Sequence, residues 1–100
     1  MFLYNITTGI DGQIEREWVA WMKANYIPAV METKLFVSWK MFKVLHDQED
    51  GSVSYSVQYF STSIENVVNF MQHIEPELNK VHQEKFKDRH ASFRTLLEEA

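Results

Sequence analysis

The sequence predicts an α+β fold in which one four-stranded antiparallel sheet carries its helices on a single face. Two observations predict it. Four stretches alternate apolar and polar residues with a period of two, and two others repeat apolar residues at helical spacing. They follow one another as strand, helix, strand, strand, helix, strand.

Residues 2–8 form the first strand, with Phe2, Tyr4 and Ile6 on one face and Leu3, Asn5 and Thr7 on the other. Gly9-Ile10-Asp11-Gly12 should end it, and Asp11 suits an N-cap because its carboxylate accepts from the free amides of a first turn. Ile14, Trp18, Trp21, Met22 and Asn25 then recur at helical spacing, with Glu15, Arg16, Glu17 and Lys23 on the other faces. Pro28 cannot donate a backbone hydrogen bond, so this helix should stop near Asn25 or Tyr26. A short turn should restart at Pro28 and run through Met31.

Leu35 to His46 reads as a long second strand. The polar stretch from Asp47 to Ser52 contains Asp50-Gly51, a good hairpin turn. Val53, Tyr55, Val57 and Tyr59 alternate with Ser54, Ser56 and Gln58, the clearest half-buried strand of the chain. Thr62-Ser63-Ile64-Glu65 fits a capping box with Thr62 as the cap. The stripe Ile64, Val67, Val68, Met71, Ile74, Leu78 and Val81 follows, interrupted by Pro76, where a kink or a second helix running to about Lys85 is expected. Ala91 to Leu97 is the last strand.

Right-handed crossovers place the strands in the order 4-1-3-2, the ferredoxin-like βαββαβ arrangement. No linker or repeat interrupts the chain, so residues 1–100 are expected to be one domain. Tyr4 and Ile6, Val37 and Trp39, Tyr55 and Val57, and Phe93 should face the helices. The opposite face then carries Asn5, Lys40, Gln58 and Arg94, along with Leu3, Phe36, Phe42 and Leu96. That face is too polar for a core and too apolar for open solvent, so a second copy is expected to cover it and make a homodimer.

Composition narrows the function classes. Formal net charge is −4 with the charges interspersed, which argues against nucleic acid or an anionic membrane surface as partner. Cysteine is absent, which excludes disulfides and thiolate chemistry and fits a cytoplasmic protein. The start, Met1-Phe2-Leu3-Tyr4-Asn5, is not that of a signal peptide, and no apolar run reaches the ~20 residues of a spanning helix.

Several pieces in this order carry a family resemblance. They are Tyr4-Asn5; Trp18-x-x-Trp21-Met22; Ile27-Pro28-x-Val30; Thr33-x-x-Phe36; Tyr55-Ser56-Val57-Gln58-Tyr59; and Phe93-Arg94-Thr95-x-Leu97-Glu98. Together they resemble a family of small bacterial proteins, domain-of-unknown-function family 4286, over nearly the whole chain. The resemblance implies a ferredoxin-like fold of the dimeric α+β barrel kind and no established activity. Similar sequences tend to have His where this chain has Tyr26, and Gly where it has Lys34.

No catalytic, metal or phosphate-loop motif stands out. His46, His73, His82 and His90 lack the spacing of a metal site and read as surface residues. Trp18, Trp21 and Trp39 read as core, with a pocket for a flat ligand as the alternative. No cofactor is expected. The polar sheet face has the most chemical content: Asn5 and Gln58 could orient a ligand, and Arg94, with Lys40 on the edge strand, could hold a carboxylate. These four are the candidate ligand-binding residues, and bonding across a dimer interface is their alternative role. Three functions stay open: a non-catalytic homodimer binding a small organic molecule, an anionic one included, in the barrel between the two sheets; a cofactor-independent enzyme of monooxygenase or isomerase type; and a structural dimer with no ligand.

Overall fold

The computed structural model describes residues 1–45, 50–87 and 89–100. His46 and residues 47–49 of the expected hairpin loop lie outside the described residues, as does Asp88. Strands β1 (Phe2–Asp11), β2 (Ser38–Lys43), β3 (Ser52–Ser61) and β4 (His90–Glu98) form one antiparallel sheet in the order β2-β3-β1-β4. This is the 4-1-3-2 order expected from the alternation of elements, and the fold is α+β and ferredoxin-like. Among the described residues no helix is long and apolar enough to cross a membrane.

Strand β1 runs three residues past the expected end. Gly9 sits within it, opposite Ser54 and Ala91, and Ile10 beyond it is fully buried. Asp11 caps the following turn, accepting from the Gln13 amide at 2.9 Å. The N-cap of the second helical segment is Ser63 and not Thr62: its hydroxyl accepts from the Asn66 amide at 3.3 Å.

Neither proline breaks its helix. Helix α1 (Glu15–Trp21) passes through a π-helical segment, Met22–Tyr26, into α2 (Ile27–Glu32). Helix α3 (Ile64–Asn69) passes through a second, Phe70–Ile74, into α4 (Glu75–Lys85). The Ile27 amide donates to the Met22 carbonyl and the Glu75 amide to the Phe70 carbonyl, each five residues back. Each π turn lies directly before an X-Pro pair, and the widened turn admits a ring that lacks an N–H and crowds the preceding turn.

The extra residue in each wide turn shifts the phase of everything after it. In α4 the buried positions become Glu75, His82 and, just past its end, Phe86, while Val81 lies exposed. A stripe counted at 3.6 residues per turn continues instead to Ile74 and Val81. That is why a buried carboxylate and a buried imidazole replace expected surface residues.

Strand β2 is shorter than expected. Pairing begins at Val37, whose amide donates to the Phe60 carbonyl at 2.7 Å. Phe36, ahead of that point, folds into the core against Tyr59 and Phe70, with ring centroids 5.4 and 5.2 Å apart. Phe36 is therefore buried and not on the open face. Val37 is 59% exposed and Trp39 lies half-exposed at the edge strand, so neither belongs to the helix-facing core. Trp18 and Met22 do, with Trp21 packed against them.

Thr33 and Lys34 close α2. The Lys34 amide donates to the Met31 carbonyl at 3.2 Å, and Lys34 has φ +65°. This is the left-handed position after a helix end that favours glycine.

Two measurements check this packing. Lys34→Gly should raise stability by about 0.5–1 kcal/mol, because relief of the left-handed strain outweighs the added chain entropy; an unchanged or lower melting temperature contradicts it. Trp18→Ala should cost about 3–5 kcal/mol, read by denaturant unfolding, and a loss below 1 kcal/mol contradicts the assigned helix register.

Candidate functional site

Register decides which side chains meet. Directly paired residues of antiparallel strands share a face. Asn5 lies opposite Gln58, and Gln58 opposite Lys40, so these three share the open face as expected. Arg94 does not join them. It pairs with Ile6, a helix-facing residue, and its Nε donates to Glu75 Oε2 of α4 at 3.1 Å. Phe93, Thr95 and Leu97 occupy the open face, and Ser92, Arg94 and Leu96 take the side expected for Phe93. Both faces of β4 are mixed in polarity, so alternation leaves its parity undetermined. The ion pair decides it.

On the open face the polar side chains satisfy one another. The Ser56 hydroxyl donates to Asn5 Oδ1 at 2.5 Å, Asn5 Nδ2 donates to Thr7 Oγ1 at 2.9 Å, and Gln58 Nε2 donates to Ser56 Oγ at 3.3 Å. Lys40 lies over the Phe60 ring, 5.8 Å from its centroid. Apolar groups surround them: Phe93 is 63%, Phe42 51% and Leu97 46% exposed.

The other face holds a small cavity of about 20 Å³ between sheet and helices, room for about one water molecule. Its apolar wall is Ile6, Met22 and Val57; its polar groups are Thr8, Tyr26, Tyr59, Asn79, His82, Ser92 and Arg94. Strands β1, β3 and β4 supply the floor, the first π turn supplies Met22 and Tyr26, and α4 supplies Asn79 and His82. Asn79, His82, Ser92 and Arg94 also line a surface depression between α4 and β4, which makes this gap the mouth.

Glu75 anchors one end. Its carboxylate, 7% exposed, accepts from the Tyr4 hydroxyl at 2.7 and 2.9 Å and from Arg94. Burial, then the hydrogen bond to Glu75, raises the Tyr4 pKa, so the phenol stays protonated and donates. Burial is the largest single influence and works against the charge on Arg94, but the bond to Glu75 and the electrostatic attraction of Glu75, Tyr4 and Tyr26 together outweigh it and raise the Arg94 pKa.

His82 anchors the other end. The rings of Trp18, Trp21, Tyr26, Phe86 and His90 surround it, with centroids 4.4 to 6.3 Å away. Burial first, then the nearby His90 and Arg94, lowers its pKa to about 4, so it is neutral at pH 7. Trp18 Nε1 donates to His82 Nε2 at 2.9 Å, which places the single ring proton on Nδ1. Between the anchors the Tyr26 hydroxyl donates to Asn79 Oδ1 at 3.1 Å. Tyr59 is fully buried, and its hydroxyl has no hydrogen-bond partner among the described residues. Burial raises the pKa of both phenols.

Sequence reasoning reached Arg94 but not Glu75, His82, Asn79 or Tyr59. Glu75-Pro76 after a helical stripe was the available signal, because a proline-compatible wide turn rephases α4. Among the described residues no three metal-ligating side chains gather. Tyr26 meets the cavity as a phenol bonded to Asn79.

The family model described as Domain of unknown function (DUF4286) matches residues 1–100. No sequence match was found among curated proteins. An ethyl tert-butyl ether d (ethd) family protein from Bacillus halodurans is 12% identical, with a TM-score of 0.68 and 100% of both chains covered. A dimeric ferredoxin-like protein from an uncultured marine organism is 12% identical at TM-score 0.69, covering 100% of this chain and 95% of that one. A hydroxynitrile lyase from Passiflora edulis is 16% identical at TM-score 0.64, covering 99% and 95%. At such identities the likeness is one of fold.

The neutral His82 has a consequence in acid. Its ordinary pKa is 6.5 and its folded value about 4, so between these values the unfolded chain binds the extra proton. Folded-state stability should fall as pH drops from about 6.5 toward 4. His82→Gln, whose amide oxygen can still accept from Trp18, should lose this part of the pH dependence. Melting curves across the window check it, and equal slopes in parent and variant contradict it.

Proposed function

The chain belongs to the DUF4286 family, and on that premise we propose that it is a homodimer that binds a small organic molecule without transforming it. The dimer forms as an α+β barrel, through the open sheet face. Phe42, Phe93 and Leu97 make that face too apolar to leave in water, and the marine ferredoxin-like protein of the same fold is described as dimeric. Covering the face on two copies buries on the order of 1,600 Å², enough for a stable interface. Asn5 and Gln58 enter the interface already hydrogen-bonded, and Lys40 lies toward its rim.

The ligand occupies the depression between α4 and β4, on the helix side of the sheet. One observation carries this reading: Asn79, Lys80, His82 and Arg94 line a recess of about 420 Å³ there, within the range of small-molecule sites. The inner cavity at the Tyr59 hydroxyl has room for about one water. Binding without chemistry is favoured because the groups able to act as a base are engaged. His82 Nε2 accepts from Trp18, and Glu75 accepts from Tyr4 and Arg94. A second reading, a cofactor-independent enzyme, draws on the depressed His82 pKa beside the recess between α4 and β4, and requires Trp18 to release that nitrogen.

Sedimentation at micromolar concentration tests the assembly. The parent should sediment as a dimer and Phe93→Glu as a folded monomer, because a charge would then sit in the apolar centre of the interface. A monomeric parent contradicts the proposal. Mass spectrometry of any bound molecule, recovered unchanged after prolonged incubation, separates binding from turnover.

A further inference from the structure

We infer that the recess between α4 and β4 is completed by the second copy: strand β2 of the partner subunit pairs antiparallel with the outer edge of β4 and extends the floor of the recess across the seam. This inference rests on the homodimer proposed above and goes further by naming the strands that join the copies and what the partner adds to the site.

Backbone direction shows that these two edges fit. Strands β2 and β4 are the two edges of the sheet. At the ends of β4 the Arg89 carbonyl accepts from the Asp11 amide, and the Glu99 amide donates to the Met1 carbonyl. Odd-numbered residues of β4 thus turn their backbone groups toward β1, and Ser92, Arg94 and Leu96 turn theirs outward. At the end of β2 the Val44 amide donates to the Ser54 carbonyl, which commits even-numbered residues to β3. Trp39, Met41 and Lys43 therefore turn outward. On both edges the outward residues carry their side chains on the helix side, since Arg94 pairs with Ile6 and Trp39 with the buried Tyr59. Directly paired residues of antiparallel strands share a face. Joining β4 to the partner's β2 therefore keeps both sets of helices outside and both open faces inside, as a barrel requires.

Side chains and charge select this seam. Leu96 is 42% exposed and Trp39 37% exposed, each on the helix side of its edge. Antiparallel pairing sets the end of β4 beside the start of β2. It places Leu96 opposite the partner's Trp39, so that each apolar side chain covers the other, and Arg94 of the recess opposite the partner's Met41. A seam of like edges would set Lys40 and Lys43 of one β2 against the same two lysines of the other, and like charges across a strand pair are destabilising. The β4 edge is nine residues long, without proline and with unbroken register against β1, which makes it a ready template for a further strand.

Amide hydrogen exchange of the ¹⁵N-labelled full chain tests this, together with contacts between subunits in a dimer mixed from differently labelled copies. The outward amides of Ser92, Arg94, Leu96, Trp39 and Met41 should exchange at least about tenfold more slowly in the parent dimer than in the Phe93→Glu monomer. Leu96 should contact the partner's Trp39 ring. The subunit contacts are read on the parent alone, so they decide the question even where Phe93→Glu does not fold. A parent that sediments as a dimer while its outward amides exchange as fast as in the monomer overturns the seam and leaves the face-to-face dimer standing. So do contacts between β4 and the partner's β4, which mark a seam of like edges. A monomeric parent overturns the dimer itself, and the inference with it.

Discussion

The buried carboxylate of Glu75 constrains the rest of the structure. Taking an ion out of water costs several kcal/mol unless strong, well-placed partners meet it. Here Tyr4 from β1 and Arg94 from β4 both meet it, with charge assistance. One carboxylate thus joins two neighbouring strands to the first turn of α4. For Arg94 to reach it, β4 must turn its even-numbered residues toward the helices. Phe93, Thr95 and Leu97 are then committed to the other face. The apolar open face and the polar pocket are two consequences of the same ion pair.

The two π turns make that arrangement available. Each stands before a proline and delivers a polar side chain to the interior: Tyr26 from the first and Glu75 just past the second. Wide turns of this kind often sit at functional sites, because they rephase one stretch of helix without ending it. Asn79 and His82 follow Glu75 at helical spacing and line the pocket for that reason. The left-handed Lys34 marks the other place where local backbone preference yields to the global path of the chain.

Much of the fold was legible in the sequence. The alternation of Val53 through Tyr59, the stripe Ile14, Trp18 and Met22, and the order of elements carry strand order and helix placement by periodicity alone. What periodicity could not carry was phase. A π turn adds one residue that no propensity announces, so Val81 was read as buried where His82 is. In β4 both faces mix apolar and polar groups, so Arg94 was read onto the wrong one. Asn5, Gln58 and Lys40 were placed correctly together because β1, β2 and β3 fix one another's register through Tyr4, Tyr59 and Val57. The site was hidden because its residues are polar groups in buried positions, where local patterning reads them as solvent-facing.

A double-mutant cycle on Glu75→Gln and Arg94→Met, read by denaturant unfolding, tests the central claim most directly. If the ion pair sets the parity of β4 and the phase of α4, the two substitutions should be coupled by at least about 1 kcal/mol, the double variant losing less than the sum of the singles. Additivity within about 0.3 kcal/mol, as expected of groups on opposite faces of the sheet, would contradict it.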